Sequence, residues 1–127
     1  MVDVGSVMQT HMVAVARSAK LDAVLKLMER SGVRIVPIIY GGRLIGAISK
    51  GDIQRAVQKG RDPAATQIDR IMPHNLYFIE AGSSIEDAAK IMIRHRLARL
   101  PVVNNLEDML CVGVISSTEI LRAKGRK

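Results

Sequence analysis

The stretch VPIIYGGRLIGAISKGD, residues 36–52, returns later in the chain as LPVVNNLEDMLCVGVISSTE, residues 100–119. Each run holds an apolar-Pro-apolar-apolar segment, then a second apolar run containing one glycine, then Ser-x-x-acid. Working outward at an offset of 64, Met8 meets Met72, Lys26 meets Lys90, Met28 meets Met92, Arg30 meets Arg94 and Pro37 meets Pro101. Beyond the second apolar run the offset becomes 67, where Gly46, Ile48, Ser49, Ile53, Arg55 and Ala56 meet Gly113, Ile115, Ser116, Ile120, Arg122 and Ala123. A tandem repeat fixes the architecture before any local choice is made. The change of offset places three extra residues near 104–108 of the second copy, where Asn104-Asn105 and the acids after it signal a turn.

Each copy carries the same order of local patterns. MVAV (12–15) reads as a short strand, and Leu21, Val24, Leu25 and Met28 give the stripe of an amphipathic helix. RIVPII (34–39) and LIGAI (44–48) are β-branched runs joined by Tyr40-Gly41-Gly42-Arg43, which is hairpin punctuation. A second helix runs from about Lys50 to Gln58 and closes at Gly60. The second copy follows with LYFI (76–79), a helix striped by Ile85, Ala88, Ala89 and Met92, the strands RLPVV (99–103) and LCVGVI (110–115), and a final helix to about Ala123. Ser83 with Glu86 predicts a capping box at the start of the striped helix. Pro37 and Pro101 predict edge strands, or strands that begin after the proline near Ile38 and Val102.

The expectation is a mixed α/β (α+β) fold of tandem β-α-β-β-α repeats packed as one pseudo-two-fold module. Its first repeat covers 1–60, a linker covers 61–66 and the second repeat covers 67–127. Roughly 60 residues bury too little surface to be comfortable alone, which argues that the copies pack together.

Composition narrows the function. The 127 residues are 48% hydrophobic but 2% aromatic, so the core is aliphatic and methionine-rich, and the chain is a folding one. No apolar run reaches the roughly 18 residues of a membrane helix, and the N-terminus lacks the charge order of a signal peptide. A cytoplasmic protein is expected, with no membrane partner. Cys111 is the single cysteine, which excludes an intrachain disulfide and fits an apolar strand position. His11, His74 and His95 have no spaced partner suggesting a metal site or a general base, and neither a nucleophile–base pair nor a Walker-type loop is present. No catalytic residue, no metal and no enzyme activity are therefore expected. The recurring Met8, Met28, Met72 and Met92 mark packing positions.

The twice-occurring apolar-Pro-apolar-apolar strand and the segments Gly46-Ala47-Ile48-Ser49-Lys50-Gly51-Asp52 and Gly113-Val114-Ile115-Ser116-Ser117-Thr118-Glu119 resemble a pair of cystathionine β-synthase (CBS) domains arranged as a Bateman module. The resemblance covers nearly the whole chain. It implies a non-catalytic regulatory module that binds AMP, ADP, ATP or S-adenosylmethionine in clefts between the repeats, as a sensed ligand rather than a tightly held cofactor. It also implies a homodimer built through amphipathic helices and a separate, unidentified protein partner that the module regulates. Carried over residue by residue, one cleft would use Ser49, Lys50 and Asp52 with Tyr77, Leu97, Ala98, Arg99 and Pro101. The other would use Ser116, Thr118 and Glu119 with Val13, Val33, Arg34 and Pro37.

The chemistry of those residues can be argued independently. A carboxylate accepts both hydroxyls of a cis-diol, which suits Asp52 to a ribose. Ser49 stands where a strand turns into a helix, and the free N–H groups of a first turn favour a phosphate. Lys50 and Arg99 are placed to add positive charge, and Tyr77 is the one ring available to an adenine. The same Ser-x-x-acid pattern is also an ordinary capping box, in which the acid merely reaches back to the N-cap N–H. Glu119 stands where the family pattern carries Asp, so its longer side chain must fold back.

The net charge of +7 supports a second function class, a small basic nucleic-acid-binding protein. Against it, basic residues divide almost evenly, 10 in 1–64 and 9 in 65–127, and rings for base stacking are scarce. Arg94, His95, Arg96 and Arg99 form the densest cluster, at a helix end where cations complement the dipole. The tail residues Arg122, Lys124, Arg126 and Lys127 read as a solvated end.

Overall fold

The computed structural model describes residues 1–125, so Arg126 and Lys127 of the basic tail lie outside the described residues. The elements in order are α1 (Val4–Val7), α2 (Leu21–Ser31), β1 (Ile35–Tyr40), β2 (Arg43–Ser49), α3 (Lys50–Gln58), a 3-10 turn at Ile68–Arg70, β3 (Ile79–Glu80), α4 (Ile85–His95), β4 (Arg99–Val103), β5 (Cys111–Ser116) and α5 (Ser117–Gly125). They form two compact units. One is continuous, Met12–Leu76; the other is split, Met1–His11 together with the chain from Tyr77 onward.

The unit boundaries therefore differ from the sequence repeat, which divides at 1–60, 61–66 and 67–127. The segment leading into each repeat packs on the other copy. Val4 and Ile68 match at the offset of 64, and both are fully buried, Val4 in the split unit and Ile68 in the continuous one. The 61–66 stretch is likewise built into the continuous unit rather than hung between units. Its Pro63 and Thr66 carbonyls accept from the Asp22 and Leu21 N–H groups at 3.0 Å each, which satisfies the first donors of α2.

In the continuous unit, α2 buries Leu21, Val24 and Met28, the i, i+3, i+7 stripe, against Val36, Ile38, Ile48 and Ile53. Each such side chain contributes about 1.5–3 kcal/mol on burial. β1 and β2 pair antiparallel from Ile35↔Ser49 to Tyr40↔Arg43, with a bulge between Ile38 and Ile39. The connection holds Gly41 at φ 57° and Gly42 at φ 80°, two consecutive left-handed positions that suit glycine and match the expected hairpin.

In the split unit, α4 buries Ile85, Ala88 and Met92 against Leu100, Val102 and Ile115. β3 pairs parallel with β4 at Ile79↔Val102, and β4 pairs antiparallel with β5 from Arg99↔Ser116 to Val103↔Cys111. The three extra residues form a built turn. Asn104 Oδ1 accepts from Asn105 N–H at 2.8 Å and Leu110 N–H at 3.0 Å, and Asn105 Oδ1 accepts from Asp108 N–H at 2.7 Å.

Several local expectations are corrected. Both prolines lie inside strands; β1 is an edge strand of its two-stranded sheet, as expected, whereas β4 is the central strand of its sheet. Pro37 accepts from Val15 N–H through its carbonyl, so its nitrogen faces the same neighbour, where pairing starts only at Val15↔Ile38. No ladder donor is lost there. The same rule shortens the leading strands. Among the described residues, Val15 of 12–15 and Ile79 of 76–79 are the ones that form strand bridges, because parallel pairing begins just past each proline. The cap of α4 falls one residue later than expected. Ser84 Oγ accepts from Asp87 N–H at 3.1 Å, while the Ser83 carbonyl accepts from Val4 N–H at 2.8 Å and ties down α1.

Candidate ligand-binding half-sites

In the continuous unit, β2 runs into α3 at Ser49, whose φ of −95° and ψ of 161° leave it extended as the N-cap. Ser49 Oγ accepts from Asp52 N–H at 3.1 Å, and Asp52 Oδ2 accepts from Ser49 N–H at 2.9 Å. The capping box is complete. Arg55 Nη2 donates to Asp52 Oδ1 at 2.6 Å, an ion pair in which Arg55 is largely exposed and Asp52 is not. A carboxylate has about four acceptor positions. Two are used here, which leaves about two acceptor positions not taken by the protein contacts described.

Lys50 N–H donates to the Arg34 carbonyl at 3.1 Å. This bond draws the residues before the first proline to the start of α3 within one unit. A concavity of about 390 Å³ opens there, lined by Met28, Glu29, Gly32, Val33, Arg34 and Lys50. Pro37 is buried in β1, and Val13 packs partly buried against the same core.

The split unit repeats the arrangement with different chemistry. Ser117 N–H donates to the Ala98 carbonyl at 3.0 Å, the counterpart of the Lys50–Arg34 bond. At the matching turn Glu119 Oε1 accepts from both Ser116 N–H, 2.7 Å, and Ser116 Oγ, 2.8 Å. The glutamate folds back as its length requires, and it takes the serine hydroxyl as well as the amide. Thr118 and Ala98 are exposed, Leu97 packs against the core, Arg99 opens β4 opposite Ser116, and Pro101 is buried. Tyr77 stacks on His95 with ring centroids 4.0 Å apart and planes at 25°.

Within the units, then, Val33 and Arg34 neighbour the Ser49–Asp52 turn of their own repeat, and Ala98 and Arg99 neighbour the Ser116–Glu119 turn of theirs. The sequence grouping instead joined Ser49, Lys50 and Asp52 to Tyr77, Leu97, Ala98, Arg99 and Pro101, residues that belong to the other unit. Two participants escaped the sequence reading. Arg55 occupies Asp52, a pairing that the i, i+3 spacing could have signalled. His95 covers Tyr77, for which the sequence offers no local signal.

Among the described residues no cluster of His, Cys, Asp and Glu could hold a metal ion. Burial pushes the Cys111 thiol above its ordinary value, against smaller opposing contributions from backbone hydrogen bonds at Gly113 and Val102, which disfavours the reactive thiolate. No described helix is long and apolar enough to cross a membrane.

Comparison with known proteins identifies the family and the fold. The CBS domain family model matches residues 4–59 and again 68–126. The CBS domain-containing protein YhcV of Bacillus subtilis is 28% identical over 123 residues, covering 94% of this chain and 87% of that protein. Homoserine O-acetyltransferase of Methanosphaerula palustris is 28% identical over 124 residues, but the chain, 97% covered, spans only 24% of that protein's length. Among solved structures, the CBS domain pair of protein MJ0100, in complex with 5'-methylthioadenosine and S-adenosyl-L-methionine, superposes with a TM-score of 0.86 at 21% identity, covering 98% of this chain and 97% of that one. CBSX2 in complex with AMP gives a TM-score of 0.80 at 22% identity, covering 99% and 98%. With two matched repeats spanning nearly its full length and the fold of a CBS domain pair, the chain belongs to the CBS domain family.

Proposed function

We propose that this chain is a regulatory module that binds an adenosine-containing ligand, AMP, ADP, ATP or S-adenosylmethionine. The observation that carries this reading is Asp52. Its carboxylate is held at the start of α3 by Ser49 and Arg55, with acceptor positions to spare for a ribose diol. Arg34 and Lys50 line a concavity at the start of α3, with Glu29 also on its wall, and would supply charge for a phosphate. The ligands of the MJ0100 and CBSX2 structures share the adenosine group that such a site would hold.

The module acts in the cytoplasm on a separate protein partner, and the ligand works by binding one state of that assembly more tightly than another. It forms a homodimer through α4 and α5, which leave Ile93 80% and Leu121 70% exposed in the split unit. A monomer in light scattering at micromolar concentration contradicts the dimer.

The test is a melting-temperature screen with AMP, ADP, ATP, S-adenosylmethionine and GMP as the non-adenine control. A ligand at 100 times its Kd adds about 2.7 kcal/mol, which raises the melting point by about 10 °C for a chain of this size. No shift with any adenosine compound contradicts the function.

A further inference from the structure

The two units make the same antiparallel bridge between a helix N-cap and the segment exchanged from the other repeat, but the residues differ in charge. In the split unit the bridge joins Asp3 and Ser84; in the continuous unit it joins Gln67 and Lys20. Ser84 caps α4 with its hydroxyl, whereas Lys20 stands at the N-cap of α2 with no side-chain cap bond. A lysine there forgoes the capping stabilisation and sets a cation against the positive end of the helix dipole.

Two further cations surround Lys20. A concavity of about 240 Å³ is lined by Lys20, Arg61, Ala65, Thr66, Gln67 and Arg70. Arg70 matches Ser6 of the split unit at the offset of 64, so the fold itself does not demand the charge. No carboxylate lines this concavity. The acid of the linker, Asp62, instead turns Oδ1 to Ala64 N–H at 3.0 Å. Among the described residues neither Arg61 nor Arg70 is in an ion pair, and the one polar contact of the Lys20 ammonium is a long 3.3 Å donation to the Ala65 carbonyl. The first N–H groups of α2 are already taken by the Thr66 and Pro63 carbonyls and by Asp22 Oδ1, so side chains, not the helix end, would hold an anion here. Lys20, half-buried, and the exposed Arg61 and Arg70 thus line one concavity with no carboxylate among its lining residues, and Lys20 stands at a helix end where a serine serves the sister unit. Such an arrangement is expected where a ligand supplies the missing partner.

We propose that Lys20, Arg61 and Arg70 form a diphosphate-binding pocket in the continuous unit, separate from the Ser49–Asp52 half-site. The matching chemistry is a compact group bearing several negative charges, met by guanidinium forks and an ammonium.

The test is calorimetric titration of inorganic pyrophosphate into the full chain, wild type and variants. Saturable binding is expected. Lys20→Ser and Arg70→Ser, which install the residues of the split unit, should each weaken it by about ten-fold or more. Lys26→Ser removes the same charge from the exposed face of α2 and should leave the affinity unchanged. Ligand-free Lys20→Ser should melt no lower than wild type, since a serine can cap α2. Absence of saturable binding, wild-type affinity in both Lys20→Ser and Arg70→Ser, or an equal loss in Lys26→Ser overturns the proposal. Repeating the titration with uridine diphosphate identifies the source: equal affinity assigns the pocket to a diphosphate carried on a larger molecule, and tighter pyrophosphate to the free ion. Because adenosine recognition is read separately at Asp52, failure of one proposal leaves the other standing.

Discussion

Gly46 in the continuous unit and Gly113 in the split unit occupy the same position of the repeat, yet their surroundings differ in stiffness. A Cβ built on Gly46 would lie 3.0 Å from the sulfur of Met72, the end of a flexible side chain. One built on Gly113 would lie 2.7 Å from the backbone carbonyl of Gln9 and 2.8 Å from the sulfur of Met8. In both units the exchanged segment is the neighbour that excludes a side chain. In the split unit that segment is locked by paired bonds, Gln9 N–H to the Val114 carbonyl at 2.8 Å and Val114 N–H to the Gln9 carbonyl at 2.9 Å. The exchange, not strand conformation, sets the demand for glycine at this position, and its strictness follows what the segment presents, thioether or backbone.

Substitutions sharpen this contrast. The largest effect is expected for Gly113→Ala, which must displace a hydrogen-bonded backbone and should cost about 2–3 kcal/mol in denaturant unfolding. Gly46→Ala should cost about 1 kcal/mol or less, because Met72 can turn aside. Equal costs would break the comparison. Next, Ser84→Ala removes the α4 cap and should cost about 1 kcal/mol; no measurable loss would show that the hydroxyl does not hold the helix end. The smallest effect concerns the C-caps. Gly32 closes α2 at φ 69°, while Arg96 closes α4 at φ 56°, a left-handed position that carries strain for a non-glycine residue. Arg96→Gly should therefore stabilise by about 0.5–1 kcal/mol despite the added chain entropy. A loss would show that the Arg96 side chain makes a compensating contribution.

Much of this was legible in the sequence. The duplicated proline strand, the Gly41-Gly42 turn and the apolar stripes of α2 and α4 each depend on near neighbours, so spacing suffices to read them. The exchange of leading segments was not legible. Val4 and Ile68 look like any aliphatic residue, and nothing local says which copy of a repeat will bury them. The prolines misled for a related reason, since the cost of a missing donor depends on which side of the strand has a neighbour. At the candidate site the Ser49–Asp52 and Ser116–Glu119 turns were readable from spacing. That Val33 and Arg34 lie beside the first turn, and Ala98 and Arg99 beside the second, depends on strand pairing and on the Lys50–Arg34 and Ser117–Ala98 backbone bonds, which no motif spells out.

The reading of this chain as an adenosine-responsive module rests on the Asp52 carboxylate, and calorimetry of S-adenosylmethionine and AMP against wild type and Asp52→Asn tests it most directly. The asparagine oxygen can still accept from Ser49 N–H, so the cap is largely kept while the charge that binds a diol is lost. Saturable binding to wild type is expected, with a loss of about ten-fold or more in the variant at nearly unchanged melting temperature. Equal affinity in wild type and variant, or no heat from either compound with wild type, would contradict it.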